Sequence, residues 1–196
     1  MKKMLGLLMV CVCGCSLSAA DMAKAFKVLD STGTEQSLAL YKGKVVVLEF
    51  LNLKCPFVKK HYGSNNMQDL QKKYVDQGVI WLSVCSSAKG NQGYLTNDHI
   101  NKAITQQGLA STAYIADPDG TLGKSYGAKT TPHMFVIDAN GFLAYQGAID
   151  SVKSTKAADI AGATNYVSQA LDELLSGKPV SLAKTKSYGC SVKYSK

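Results

Sequence analysis

Cys55 stands where a cysteine becomes reactive. It follows the apolar run Val45-Val46-Val47-Leu48-Glu49-Phe50-Leu51 and directly precedes Pro56. The run is β-branched, almost continuously apolar and too short for a helix of its own, so it predicts a buried strand. Pro56 suits the first position of a helix, where its missing N–H is no loss and its φ is already helical. Cys55 is therefore expected at a strand-to-helix turn, its sulfur facing free N–H groups and the positive end of a helix dipole. That setting favours the thiolate, the nucleophilic form. The competing reading is an inert buried thiol. The strand and the proline favour the reactive one.

Other residues able to do chemistry are few. Six cysteines occur, at positions 11, 13, 15, 55, 85 and 190. His61 follows Cys55 closely and His133-Met134 follows the Thr130-Thr131-Pro132 segment. Sulfur with imidazole would suit copper(I), and a Cu(I)-binding module is one reading. His61 reads more simply as an exposed residue on a helix surface, and His99 has no evident role. The formal charge is +8, carried by lysine alone with no arginine. The lysines are scattered among acids rather than clustered with aromatics, which argues against nucleic-acid binding.

The elements that must position Cys55 can be read around it. Lys2-Lys3, the apolar Met4 to Gly14 and the small residues ending at Ala20 form a secretory signal peptide, residues 1–20, cleaved after Ala20. The chain is thus expected to be exported, periplasmic or secreted. A lipoprotein lipidated at Cys15 is the alternative, and the only expected membrane attachment. Residues 21–196 fit one domain, with 180–196 as a C-terminal tail. Cleavage leaves Cys55, Cys85 and Cys190, an odd count too small for a disulfide scaffold but suited to redox chemistry.

Within that domain a hairpin is expected from Phe26–Leu29 and Ser37–Leu40. Strand Val45–Leu51 follows, then a helix from Pro56 broken at Gly63-Ser64 and resumed over Asn66–Asp76. Val79–Cys85 is a buried strand and Asp98–Gln107 a helix capped at Thr96/Asn97. Thr112–Ala116 is a short strand, ended by Asp117-Pro118-Asp119-Gly120 and followed by a short helix over Leu122–Tyr126. Met134–Asp138 and Phe142–Tyr145 are joined by the hairpin signal Asn140-Gly141. One long helix is expected over Ala157–Leu175. The alternation implies an α/β fold, a mixed central sheet flanked by helices with an antiparallel edge.

From Lys42 to Asp150 the chain resembles the thioredoxin superfamily, in its redoxin and alkyl-hydroperoxide-reductase/thiol-specific-antioxidant branch. Strand, Cys55 and helix carry the resemblance, with the Thr131-Pro132 loop before a strand and the Asn140-Gly141 hairpin. The run Cys55-Pro56-Phe57-Val58-Lys59-Lys60-His61-Tyr62 and the Tyr188-Gly189-Cys190 tail resemble exported redoxin-domain proteins. The resemblance implies a thioredoxin-like fold and thiol–disulfide exchange with Cys55 as nucleophile. It implies a cis peptide at Pro132, with Thr131 and Pro132 lining the substrate site. Glu49, six residues before Cys55, would be a buried acid relaying thiol protons.

This chain departs from the pattern at Val58, where thioredoxins carry their second cysteine. A mixed disulfide or sulfenic acid on Cys55 must then be resolved from afar. Cys190 in the tail is the first choice and Cys85 the second. The alternative activity is a peroxiredoxin-like thiol peroxidase. Against it, Leu48 and Asn52 stand at the peroxiredoxin proline and threonine positions, and only Lys54, Lys59 or Lys60 could replace the family's arginine. No organic cofactor or metal is implied. The implied partners are a protein or small-molecule thiol or disulfide and an external reductant protein.

Overall fold

The computed structural model describes residues 21–195. The expected signal peptide, residues 1–20 with Cys11, Cys13 and Cys15, lies outside them. The entry hairpin pairs β1 (Lys27–Leu29) with β2 (Glu35–Ser37). Its turn is fixed by Asp30, whose carboxylate accepts the Thr32 and Thr34 amides. The second arm is shorter than expected, since Leu38–Tyr41 turn into a 3-10 helix.

Five strands form the central sheet in the order β5-β4-β3-β7-β8. β3 (Val46–Phe50) runs parallel to β4 (Ile80–Cys85), which runs parallel to β5 (Ala113–Ala116). β7 (His133–Ile137) and β8 (Leu143–Gly147) add antiparallel on the other side. β3 is buried throughout, as its apolar run requires. Its alternate residues divide between two cores. Val46, Leu48 and Phe50 pack with Leu122 and Tyr126 of α4 (Thr121–Tyr126). Val47 and Leu51 face the opposite core. There lie α1 (Pro56–Tyr62), α2 (Asn66–Val75), α3 (Asn97–Gln107) and α5 (Tyr166–Leu175). Glu49, between Val47 and Leu51, therefore points into an otherwise apolar core.

The expected long helix at 157–175 is not continuous. Ala157–Ile160 form a separate 3-10 turn, and α5 starts at Tyr166. Asn165 ends the irregular stretch by capping α5, its side chain accepting the Ser168 amide at 2.9 Å. The apolar periodicity carried the expectation across Gly162, Thr164 and Asn165. On α5, Val167, Ala170 and Leu171 are buried. Beyond α5 the tail returns to the sheet. Its β9 (Cys190–Ser191) pairs antiparallel with β6 (Thr130–Thr131), which lies just before β7. No helix among the described residues is long and apolar enough to cross a membrane.

Candidate functional site

The end of β3 delivers Cys55 to the first turn of α1. Cys55 is the residue before the helix, with extended φ and ψ, and Pro56 occupies the helix start. Its side chain is fully buried. Two groups meet its sulfur. The Thr131 carbonyl oxygen lies 3.2 Å away and accepts from the thiol. The Cys190 sulfur lies 2.7 Å away, although the two residues are 135 apart in sequence. Both cysteines are free thiols here, as is Cys85. Thr131 precedes Pro132 across a cis peptide bond, and Thr131 stands opposite Cys190 in the β6–β9 pair.

This contact splits the two thiols electrostatically. Burial opposes ionisation of Cys55, but the Cys190 thiol, Thr131 and the Val58 amide outweigh it and hold its pKa below the ordinary cysteine value. Burial and the adjoining Cys55 sulfur push Cys190 up to about 11, against a smaller opposing effect of Lys193. Cys55 therefore ionises first and Cys190 keeps its proton. Such a split favours the thiolate at the buried sulfur over its neighbour. Cys85 sits elsewhere, its thiol donating to the Gly93 carbonyl at 3.4 Å.

Glu49 is fully buried in the core behind α1. Tyr62 donates to Oε1 at 2.8 Å, while Gln71, Trp81 and Ser83 donate to Oε2 at 3.0, 2.9 and 3.5 Å. Desolvation raises its pKa and prevails over these four donors. Among the described residues no lysine pairs with it. Among the described residues no hydrogen bond joins Glu49 to Cys55 directly.

The expected place of His61 on the surface is wrong. His61 and its neighbour Lys60 are both buried, and both turn toward Asp150. Lys60 Nζ donates to Asp150 Oδ2 at 3.0 Å and to the Val152 carbonyl at 3.1 Å. The Val152 amide and the Tyr188 hydroxyl donate to Oδ1. His61 Nδ1 contacts the Asn66 amide nitrogen at 2.9 Å, while Nε2 has no hydrogen-bond partner and stands 3.7 Å from Asp150. Burial lowers the His61 pKa to about 4. Lys60 is thus tied to an acid rather than free to serve Cys55. A run of Lys-Lys-His normally reads as a solvated face, and no sequence signal marks two of its members as buried.

The cluster reaches the site through the tail. Tyr188 is two residues before Cys190, and its ring meets Phe57 edge-on at 5.7 Å between centroids. Phe57 and Lys60 thus form the α1 surface on which the tail is seated. Gly189 makes the close approach possible. Its φ is +135°, and a Cβ would stand 2.1 Å from the Thr131 carbonyl oxygen. The histidines of the copper reading do not assemble a centre. Among the described residues no three His, Cys, Asp or Glu side chains converge to hold a metal.

A five-stranded mixed sheet, a cysteine at the strand-to-helix turn and a cis-proline loop against its sulfur define a thioredoxin-superfamily redoxin. Residues 19–146 match the AhpC/TSA family, and the chain belongs to it. Among curated proteins, it is 36% identical over 73 residues to "Probable glutathione peroxidase 5" of Arabidopsis thaliana, covering 36% of this chain and 41% of that one. The chain spans only about two fifths of that relative's length. Among solved structures, an uncharacterized conserved protein from Geobacillus kaustophilus superposes with a TM-score of 0.79 at 25% identity, covering 90% and 92% of the two chains. A candidate thiol:disulfide interchange protein DsbE from Chlorobium tepidum gives 0.52 at 28% identity, covering 67% and 85%.

Proposed function

We propose that this chain is an exported thiol–disulfide oxidoreductase with Cys55 as nucleophile and Cys190 as the distal resolving cysteine. One observation carries the reading. Two cysteines 135 residues apart place their sulfurs 2.7 Å from each other, with the buried one ionising first. The Cys55 thiolate attacks one sulfur of a disulfide substrate; a new S–S bond forms and the substrate's other sulfur leaves as thiolate. Cys190, losing its proton, then attacks the Cys55 sulfur and releases the second substrate thiol. The products are a reduced substrate and a Cys55–Cys190 disulfide, which a partner protein's dithiol reduces again. Thr131 and Pro132 line the exchange site, and Glu49 is a buried proton store behind α1.

The test is the disulfide state of the native protein. Mass spectrometry without reductant is expected to find Cys55 joined to Cys190, opened by mild dithiothreitol, with Cys85 free throughout. Both thiols remaining free and unreactive toward oxidants would sink the reading.

A second reading is a thiol peroxidase, favoured by the family and by the peroxidase name of the curated relative. Here Cys55 thiolate attacks a peroxide oxygen; an S–O bond forms, the O–O bond breaks and an alcohol or water leaves. Cys190 then displaces water from the sulfenic acid. The discriminating measurement is peroxide-dependent sulfenic acid on Cys55 in a Cys190→Ala variant within seconds. Its absence removes this reading and leaves the first intact.

A further inference from the structure

A strand edge left unpaired beside a reactive sulfur is a template on which an extended polypeptide can add. Thr130–Thr131 is such an edge, and this chain fills it with its own tail. Cys190 lies opposite Thr131 and Ser191 opposite Thr130.

The tail is fastened on both sides of Cys190. Ahead of it, Gly189 rests against the Thr131 carbonyl, and Tyr188 is buried with its hydroxyl on Asp150 and its ring on Phe57. After it, the Val192 amide donates to the Lys129 carbonyl at 3.1 Å and the Ala88 amide donates to the Lys193 carbonyl at 2.8 Å. The Tyr194 hydroxyl donates to the Ala128 carbonyl at 2.8 Å. The segment 188–194 is a strap across the site, with Cys190 at its centre.

We propose that this strap is the resident occupant of the docking edge, so that Cys55 exchanges with low-mass disulfides and refuses disulfides carried on extended polypeptides. The inference rests on the Cys55–Cys190 exchange proposed above. A low-mass disulfide requires only the half-buried Cys190 side chain to turn aside. A polypeptide must remove β9 from β6, break the flanking hydrogen bonds and withdraw Tyr188 from its buried acid. Each of those bonds adds to the cost of opening the edge. Their joint loss sets the discrimination. The chemistry is the same for both substrates: the Cys55 thiolate forms one S–S bond, the substrate's S–S bond breaks and its thiol departs.

The experiment uses the full reduced chain and two probes of one chemistry. The first is hydroxyethyl disulfide. The second is a ten-residue extended peptide whose central cysteine carries the same hydroxyethyl thiol in a mixed disulfide. Loss of the Cys55 thiol is followed by quenched-flow mass spectrometry. The small probe is expected to react at least a hundredfold faster. Gly189→Val places a side chain against the Thr131 carbonyl and should unseat the strap, narrowing that ratio at least tenfold. Val192→Pro, which removes the amide bound to Lys129, is the second route to the same release. Hydrogen exchange at the Ala88 amide, which donates to the Lys193 carbonyl of the seated strap, reports release in both variants. Equal wild-type rates with the two probes overturn the inference, as does a strap shown to be released with no gain in the peptide rate. A wild type inert to both probes overturns the exchange activity as well, which separates the two failures.

Discussion

Helix α1 is strung between two buried carboxylates that are treated in opposite ways. Glu49, held through Tyr62, has only uncharged donors and sits inside the apolar core; burial raises its pKa. Asp150, held through Lys60, has a buried cation, a backbone amide and the Tyr188 hydroxyl. An acid without a cation in a dry core is pushed toward its protonated form, whereas an acid paired with one can hold its partners firmly. The first arrangement makes protonation of the acid easier than it is in water. The second fastens a distant segment of chain in front of it. The difference lies in the partner, since both acids are buried.

Breaking the cation should cost most. Lys60→Met leaves Asp150 buried without its counter-charge, and reduced protein is expected to lose roughly 3–5 kcal/mol in urea unfolding. Tyr188→Phe removes one hydrogen bond to the carboxylate, about 1.5–3 kcal/mol. It should also lower the equilibrium constant for closing Cys55–Cys190 against glutathione, because the tail is less firmly placed. Glu49→Gln puts an amide among the same uncharged donors without stranding a buried charge, and about 1 kcal/mol is expected. If Glu49→Gln proves as costly as Lys60→Met, the contrast between the two acids fails.

A further test lies in the pH dependence. His61 and His133 are both held near 4 by burial. Between about 6.5 and 4 the unfolded chain therefore binds more protons than the folded one, and stability falls as pH falls. Glu49 has the opposite sign, because its raised pKa makes the folded chain the better proton binder. The difference between wild type and His61→Leu in unfolding free energy should accordingly shrink as pH is lowered through that window, measured in urea at fixed ionic strength.

The strands and most helices around Cys55 were legible because each carries a local signal. The run Val45–Leu51, Pro56 at the helix start, the break at Gly63 and the Asn140-Gly141 hairpin all act within a few residues. The expected strand-helix order, including the α1/α2 break, matches the structure closely. Charge burial was not legible. Lys60 and His61 look like surface residues until Asp150, 90 residues away from Lys60, supplies a carboxylate. Periodicity also misled at 157–175, where Asn165 carried a capping signal that outranked it. The place of Cys190 depends on tertiary contacts of Tyr188 and Gly189, which no local pattern encodes.

The 135-residue separation between Cys55 and Cys190 has a thermodynamic reach beyond catalysis. In the proposed oxidised form it closes a ring that takes in β4, β5, β7 and β8 of the central sheet, with β3 just outside it. Restricting an unfolded chain by a ring of that length is worth about 5 kcal/mol by chain entropy. Oxidation would then raise the melting temperature of the whole domain, and the reductant that reopens the bond would also loosen the fold. The redox state of one pair of sulfurs would be readable as heat resistance, so that differential scanning calorimetry of the two forms becomes a redox assay.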